Sequence, residues 1–115
     1  MSDIEELRKI ISSRLAIARQ NSGLSQAQVA NQLKLPRPSI TEIEAGRRRV
    51  SVEEMVQFAE LYQVDLNWLS GQDAEQADPV RDKLQLAARH VANLKSEDLE
   101  KVIDLLTSLR IKDTK

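Results

Sequence analysis

With 115 residues, a net charge of −1 and 41% hydrophobic residues, the chain has the composition of a single folded domain, or of a small domain with a tail. It has no cysteine and one histidine, His90, which excludes disulfides, thiolate metal sites, cysteine nucleophiles and a histidine-rich metal cage. No apolar run approaches the roughly 20 residues of a membrane span, and MSDIEEL lacks signal-peptide features. We therefore expect a cytoplasmic protein with no membrane partner, no cofactor and no metal.

Apolar periodicity and a capping box predict the first two helices. Apolar residues from Ile4 to Ala18 recur at three- and four-residue steps, which predicts a helix over about residues 3–21. The motif S-x-x-Q that begins at Ser25 is a capping box, in which side chains satisfy the free amide groups at a helix start. It predicts a second helix over about residues 26–33.

Three further helices are predicted before residue 72. The third, over about residues 37–45, tolerates Pro38 because proline falls in its first turn, where amide groups have no helical partner. A second capping box, S-x-x-E from Ser51, predicts a fourth helix of about three turns. Asp65 is placed to cap a short fifth helix.

The remaining residues divide into a linker and a C-terminal helical segment. Residues 72–79, QDAEQADP, are polar and end in proline, which favours a linker before a segment over residues 80–115. The last helix of that segment has an apolar stripe formed by Leu99, Val102, Ile103, Leu106 and Leu109. This stripe either folds back on its own domain or buries against a second copy, and its helix-pair spacing favours dimerisation.

The low net charge conceals an uneven distribution. Residues 14–49 hold seven basic side chains against two acidic ones, Glu42 and Glu44. A basic stripe of this kind is typical of a nucleic-acid interface.

Residues 25–46, SQAQVANQLKLPRPSITEIEAG, predict two short helices joined by a tight turn, with Ala30 small at their crossing. Residues 11–71 resemble the helix-turn-helix domain of phage Cro and cI-like repressors, the Xre family, through SSRLAIARQNSGLSQAQVA, SITEIEAGRR and FAELYQVDLNWLSG. The resemblance implies an all-α protein, with a five-helix lambda-repressor-like DNA-binding domain over residues 1–71. It also implies that the second and third helices read double-stranded DNA and that dimers bind inverted repeats.

Position by position, the resemblance implies a set of DNA-binding residues: Ser25, Gln26, Arg37, Pro38, Ser39, Thr41, Glu42, Arg47, Arg48 and Arg49. Gln26 matches a glutamine that contacts phosphate, and Arg37 is placed to read guanine. The run from Arg47 to Arg49 is placed along phosphates. Arg19 and Glu44 match a buried ion pair that joins the first helix to the third.

Two features depart from the family pattern. Lys34 stands where the family usually has glycine, at a turn that needs a positive φ angle. Pro38 and Glu42 replace the more common glutamines on the reading face, and Glu42 is repelled by phosphates unless it pairs with a base or an arginine.

The sequence leaves three function classes to compare. The first is a dimeric transcriptional repressor. The second is an antitoxin whose residues 72–115 neutralise a toxin, or a repressor that a partner metallopeptidase cleaves. The third is an enzyme, which we do not expect because no nucleophile–base set, phosphate-binding glycine loop or metal-ligand spacing is present.

Overall fold

The computed structural model describes the backbone of residues 4–113 and the side chains of residues 4–109. Within these residues the protein is entirely helical, which confirms the predicted fold class. The seven helices are α1 (Ile4–Asn21), α2 (Gln26–Leu33), α3 (Arg37–Glu44), α4 (Val52–Tyr62), α5 (Leu66–Ser70), α6 (Pro79–Ala92) and α7 (Ser96–Asp113).

Two compact units make up the chain, one extending to Lys83 and the other beginning at Leu84. This division lies inside α6 and differs from the linker predicted over residues 72–79. The physical reason is a set of polar contacts that hold the segment in the first unit. The Arg14 guanidinium pairs with Asp73, and the Ala77 N–H donates to the carboxylate of Glu6 at 3.2 Å.

The core of the first unit is built from the inward faces of α1 to α5. Its most deeply buried large apolar side chains are at most 2% exposed: Ile10, Leu15, Val29, Ile40, Ile43, Phe58 and Leu69. Burying one such side chain contributes about 1.5–3 kcal/mol. Phe58 and Tyr62 stack with ring centroids 5.7 Å apart on the inner face of α4.

Local sequence signals set the helix ends. Ser25 Oγ accepts from the Gln28 N–H at 3.0 Å, while the Gln28 side chain accepts from the Ser25 N–H at 2.8 Å, so the predicted capping box is present. Ser51 and Glu54 form the same arrangement at the start of α4. Asp65 occupies the N-cap of α5, but its side chain makes no capping hydrogen bond, so that expectation was wrong.

Gly71 ends α5 with a φ of 76°, and α1 lies close against it. A Cβ atom at this position would lie 2.8 Å from Cγ2 of Ile10, so a larger residue would force α1 away. The glycine therefore permits both the left-handed backbone and the close approach of the first helix.

The second unit contains the rest of α6 and α7. On α7, Leu99 and Val102 are half-buried, whereas several large apolar side chains are 48–61% exposed: Ile103, Leu105, Leu106 and Leu109. None of the described helices combines the length and apolar composition needed to cross a bilayer.

Candidate nucleic-acid interface

A tight turn sets the angle between α2 and α3. Lys34 ends α2 with φ 57° and ψ 41°, the left-handed conformation that the sequence analysis expected to need glycine. The Leu35 N–H donates to the carbonyl of Ala30 at 2.9 Å, which closes the turn. Pro36 then takes an extended backbone and α3 begins at Arg37.

The third helix has a buried face and an open face. Ile40 and Ile43 are each 1% exposed and anchor α3 in the core. The opposite face presents the predicted reading residues. Among these, Arg37, Pro38 and Thr41 are exposed, while Ser39 and Glu42 are partly covered. This exposed face of α3 therefore lies outside the protein core and is available to enter a groove of DNA.

A polar network joins α1, α2 and α3 beneath this face. Arg19 Nε donates to Glu44 Oε2 at 2.7 Å, and Arg19 Nη2 donates to Glu44 Oε1 at 3.1 Å. The two side chains are only 15% and 8% exposed. Gln26 Nε2 donates to Glu44 Oε1 at 3.0 Å and its carbonyl accepts from the Thr41 hydroxyl at 2.9 Å. The network fixes the α2 start against α3.

The Gln26 side chain keeps a spare donor within this network. A primary amide has two N–H groups, and the bond to Glu44 uses one of them. Ser25, the residue before it, is exposed and uses its hydroxyl to cap α2. The second Gln26 N–H is consequently one donor at this helix start that suits a phosphate oxygen.

Glu42 forms a surface ion pair with an arginine of the same chain. Arg47 Nε donates to Glu42 Oε2 at 2.7 Å and Arg47 Nη2 donates to Glu42 Oε1 at 3.1 Å, a two-pronged ion pair. This hydrogen bonding lowers the pKa of the Glu42 carboxyl. The arginine partner reduces the repulsion that Glu42 would otherwise feel beside phosphates.

The next two arginines differ from each other. Arg48 donates to both carboxylate oxygens of Glu54, at 3.1 and 3.0 Å, and these bonds lower the pKa of the Glu54 carboxyl. Arg48 is therefore tied to the start of α4. Arg49 is exposed and makes no ion pair with any residue that the structure describes.

A family model described as a helix-turn-helix domain matches residues 10–68, slightly more than half of the chain. The chain belongs to this helix-turn-helix domain family. Membership indicates a DNA-binding regulator, as predicted at that level. Comparisons with curated proteins and with solved structures found no match.

One arginine of the helix-turn-helix domain has a place that the sequence analysis missed. Arg14 was counted in the basic stripe, but its side chain is 2% exposed and turned into the protein. It pairs with Asp73 at 2.6 Å and with Asp82 at 3.2 Å, donates to the Trp68 carbonyl, and lies 4.9 Å from the Trp68 ring centroid. Arg14 thus holds the chain after α5 against α1.

The signal for this burial was present in the helical periodicity of α1. Arg14 lies four residues after Ile10 and three before Ile17, both of which are buried. A charge at such a core-facing position requires a partner. The bond from Arg14 lowers the pKa of the Asp73 carboxyl, whereas burial raises the pKa of the Asp82 carboxyl.

The basic stripe of the helix-turn-helix domain is consequently much reduced in free charge. Arg14, Arg19, Arg47 and Arg48 all bind carboxylates. Three basic side chains between residues 14 and 49 make no ion pair with described residues: Lys34, Arg37 and Arg49. All three are exposed.

Proposed function

We propose that this protein is a sequence-specific transcriptional regulator without catalytic activity, which binds an inverted-repeat operator as a dimer and represses by occupying it. The observation that supports it is the open face of α3, which carries Arg37 and Thr41 while Ile40 and Ile43 hold the helix in the core. The same face suits the major groove, which is about 12 Å wide.

Base reading is assigned to the exposed start and middle of α3. Arg37 makes no ion pair with a described residue, so its guanidinium is available for paired hydrogen bonds to guanine. Thr41 donates its hydroxyl to Gln26 and is exposed, which suits its methyl group for contact with a thymine methyl. Glu42, held by Arg47, is placed to accept from cytosine.

Backbone contacts are assigned to groups on either side of α3. The spare N–H of Gln26 serves one phosphate, and Arg49 serves another after the recognition helix. Arg47 keeps 62% exposure despite its carboxylate partner and joins this set. Arg48 is the least available of the three consecutive arginines because Glu54 takes both ends of its guanidinium.

Dimerisation is assigned to α7. Ile103 and Leu106, 50% and 59% exposed, belong to an apolar row that a second copy would remove from water. Two α3 helices about 34 Å apart would then enter successive major grooves on one side of the duplex. An inverted-repeat operator follows from the two-fold symmetry of such a dimer.

A selection from a random duplex pool tests the proposal. The protein and the variants Arg37→Ala and Arg49→Ala are each incubated with the duplex pool at several salt concentrations. We expect the wild-type protein to recover an inverted repeat. Arg37→Ala should lose preference at one position of each half-site, and Arg49→Ala should weaken all duplexes alike and reduce the salt slope by about one.

The matched control is Arg89→Ala, which removes an exposed arginine of α6 outside the helix-turn-helix domain. It should leave site preference unchanged. Recovery of a single unrepeated half-site would reject the dimer. A protein that binds no duplex in dilute buffer would reject the proposed function.

A further inference from the structure

A groove opens between the first half of α1, the residues after α3 and the inner face of α4. Its floor includes Ile43 and Met55, which are 1% and 8% exposed, and its walls include Ile11 and Val50. Ile4 lies at its edge and is 72% exposed. The volume of the groove is about 320 Å³.

The groove is open to solvent, and its walls are mainly apolar with a few polar groups. Sites for small molecules begin at about 300 Å³ and combine apolar walls with a few polar groups. The groove meets both criteria, and the exposed Ile4 remains available to cover a ligand.

Positive charge surrounds the apolar floor. Arg8, Arg48 and Arg49 line the groove, and among its described lining residues none is acidic. Arg48 is occupied by Glu54, which lies outside the lining. Arg8 and Arg49 make no ion pair with any described residue, so the groove keeps two unmatched guanidinium groups.

We propose that this groove binds a small amphipathic carboxylate, whose apolar part lies on Ile11, Met55 and Val50 and whose head is held by Arg49 and Arg8. A planar carboxylate matches the paired donors of a guanidinium. A ligand with both an apolar body and one negative charge is the class that complements this lining. Binding at this site does not depend on DNA.

Titration with decanoate in the absence of DNA tests the site. The protein has two methionines, so labelling their methyl groups with carbon-13 gives few signals, and Met55→Leu identifies the one in the groove. Decanoate, kept below the concentration at which it forms micelles, should shift the Met55 signal in a saturable manner. The Trp68 indole signal, on α5 and outside the groove lining, should move little.

Two variants separate the head contact from the tail contact. Arg49→Gln should weaken decanoate about fivefold, the effect of one exposed charge-assisted hydrogen bond. Ile4→Ala should weaken it about threefold through lost apolar contact, and Ile4 is exposed enough for the variant to fold. The matched control is Arg37→Gln, which removes an equal exposed charge from α3 and should leave affinity unchanged.

Decanol and acetate complete the design. Decanol lacks the negative charge and acetate lacks the long apolar chain, so each should bind more weakly than decanoate. An unmoved Met55 signal, an equal effect of Arg37→Gln and Arg49→Gln, or equal shifts at Met55 and Trp68 would overturn the proposal. A Met55 signal that changes with protein concentration and not with decanoate would place a second copy in the groove and also overturn it.

Discussion

Removing one partner of the Arg19–Glu44 pair should destabilise the helix-turn-helix domain strongly. In Glu44→Leu the Arg19 guanidinium keeps the Leu24 carbonyl as a partner, at 2.9 Å, but loses both carboxylate oxygens. Breaking a buried ion pair costs about 3–5 kcal/mol. We expect about 3 kcal/mol here, the lower end, because Arg19 retains 15% exposure. That is a large share of the roughly 5–15 kcal/mol that holds a domain folded.

A double-mutant cycle with Arg19→Met measures the pair itself. The single change leaves Glu44 with the Gln26 amide and an uncompensated charge, so it should cost a similar amount. The double variant buries no unpaired charge. Its loss of unfolding free energy should therefore fall short of the sum of the singles by about 2 kcal/mol.

Urea unfolding followed by the fluorescence of Trp68 is the suitable assay. Trp68 is the sole tryptophan and lies on α5, which packs against α1, so it reports on the unit that contains the pair. Glu60→Ala, which removes an exposed carboxylate from α4, is the control and should change stability by less than about 0.5 kcal/mol. Losses that add within about 0.5 kcal/mol would refute the reasoning.

Three further predictions concern a cap, a turn and an interface. Glu54→Gln keeps a capping box but loses the Arg48 pair, so about 0.5 kcal/mol is lost at neutral pH. Because the pKa of the Glu54 carboxyl is lowered, the wild-type protein should lose the same unfolding free energy as the pH falls through that pKa. If urea unfolding still shows a difference between the two proteins in acid, this reasoning is contradicted. Lys34→Gly should raise the unfolding free energy by about 0.5–1 kcal/mol by relieving a φ of 57°, and a destabilised variant in the same assay would contradict it. Leu106→Glu should yield monomers by light scattering while Thr107→Glu does not, and a persisting dimer would place the interface elsewhere.

The helix ends and the faces of α3 could be predicted because their causes are local. A capping box needs residues three apart, and the box at Ser25 forms with both of its hydrogen bonds. The faces of an eight-residue helix follow from its period, so Ile40 and Ile43 could be placed in the core and Arg37 outside it. The left-handed turn at Lys34 was known only through the family resemblance, and the lysine accepts it.

The carboxylate partner of each arginine could not be predicted in the same way. Arg14 pairs with Asp73, which lies 59 residues later in the sequence, so no local sequence pattern includes both residues. The polar composition of residues 72–79 favoured a linker, but composition does not report that a buried guanidinium elsewhere pairs with Asp73 of this segment. Asp65 shows the opposite limit, since a residue of the right type at an N-cap position makes no capping hydrogen bond.

Some arginines pair with carboxylates and others do not, and this difference explains how a chain of net charge −1 can bind DNA. Arg14 and Arg19, whose side chains are the least exposed of the paired arginines, are each held by a carboxylate. Arg47 and Arg48 carry a carboxylate with them, so each presents a dipole more than a charge. Among the described basic side chains of residues 14–49, Lys34, Arg37 and Arg49 carry no paired carboxylate, and under the proposed function Arg49 acts on a phosphate and Arg37 on a base. Affinity should therefore depend weakly on salt for so basic a stretch, and a larger share of it should come from the bases that α3 reads.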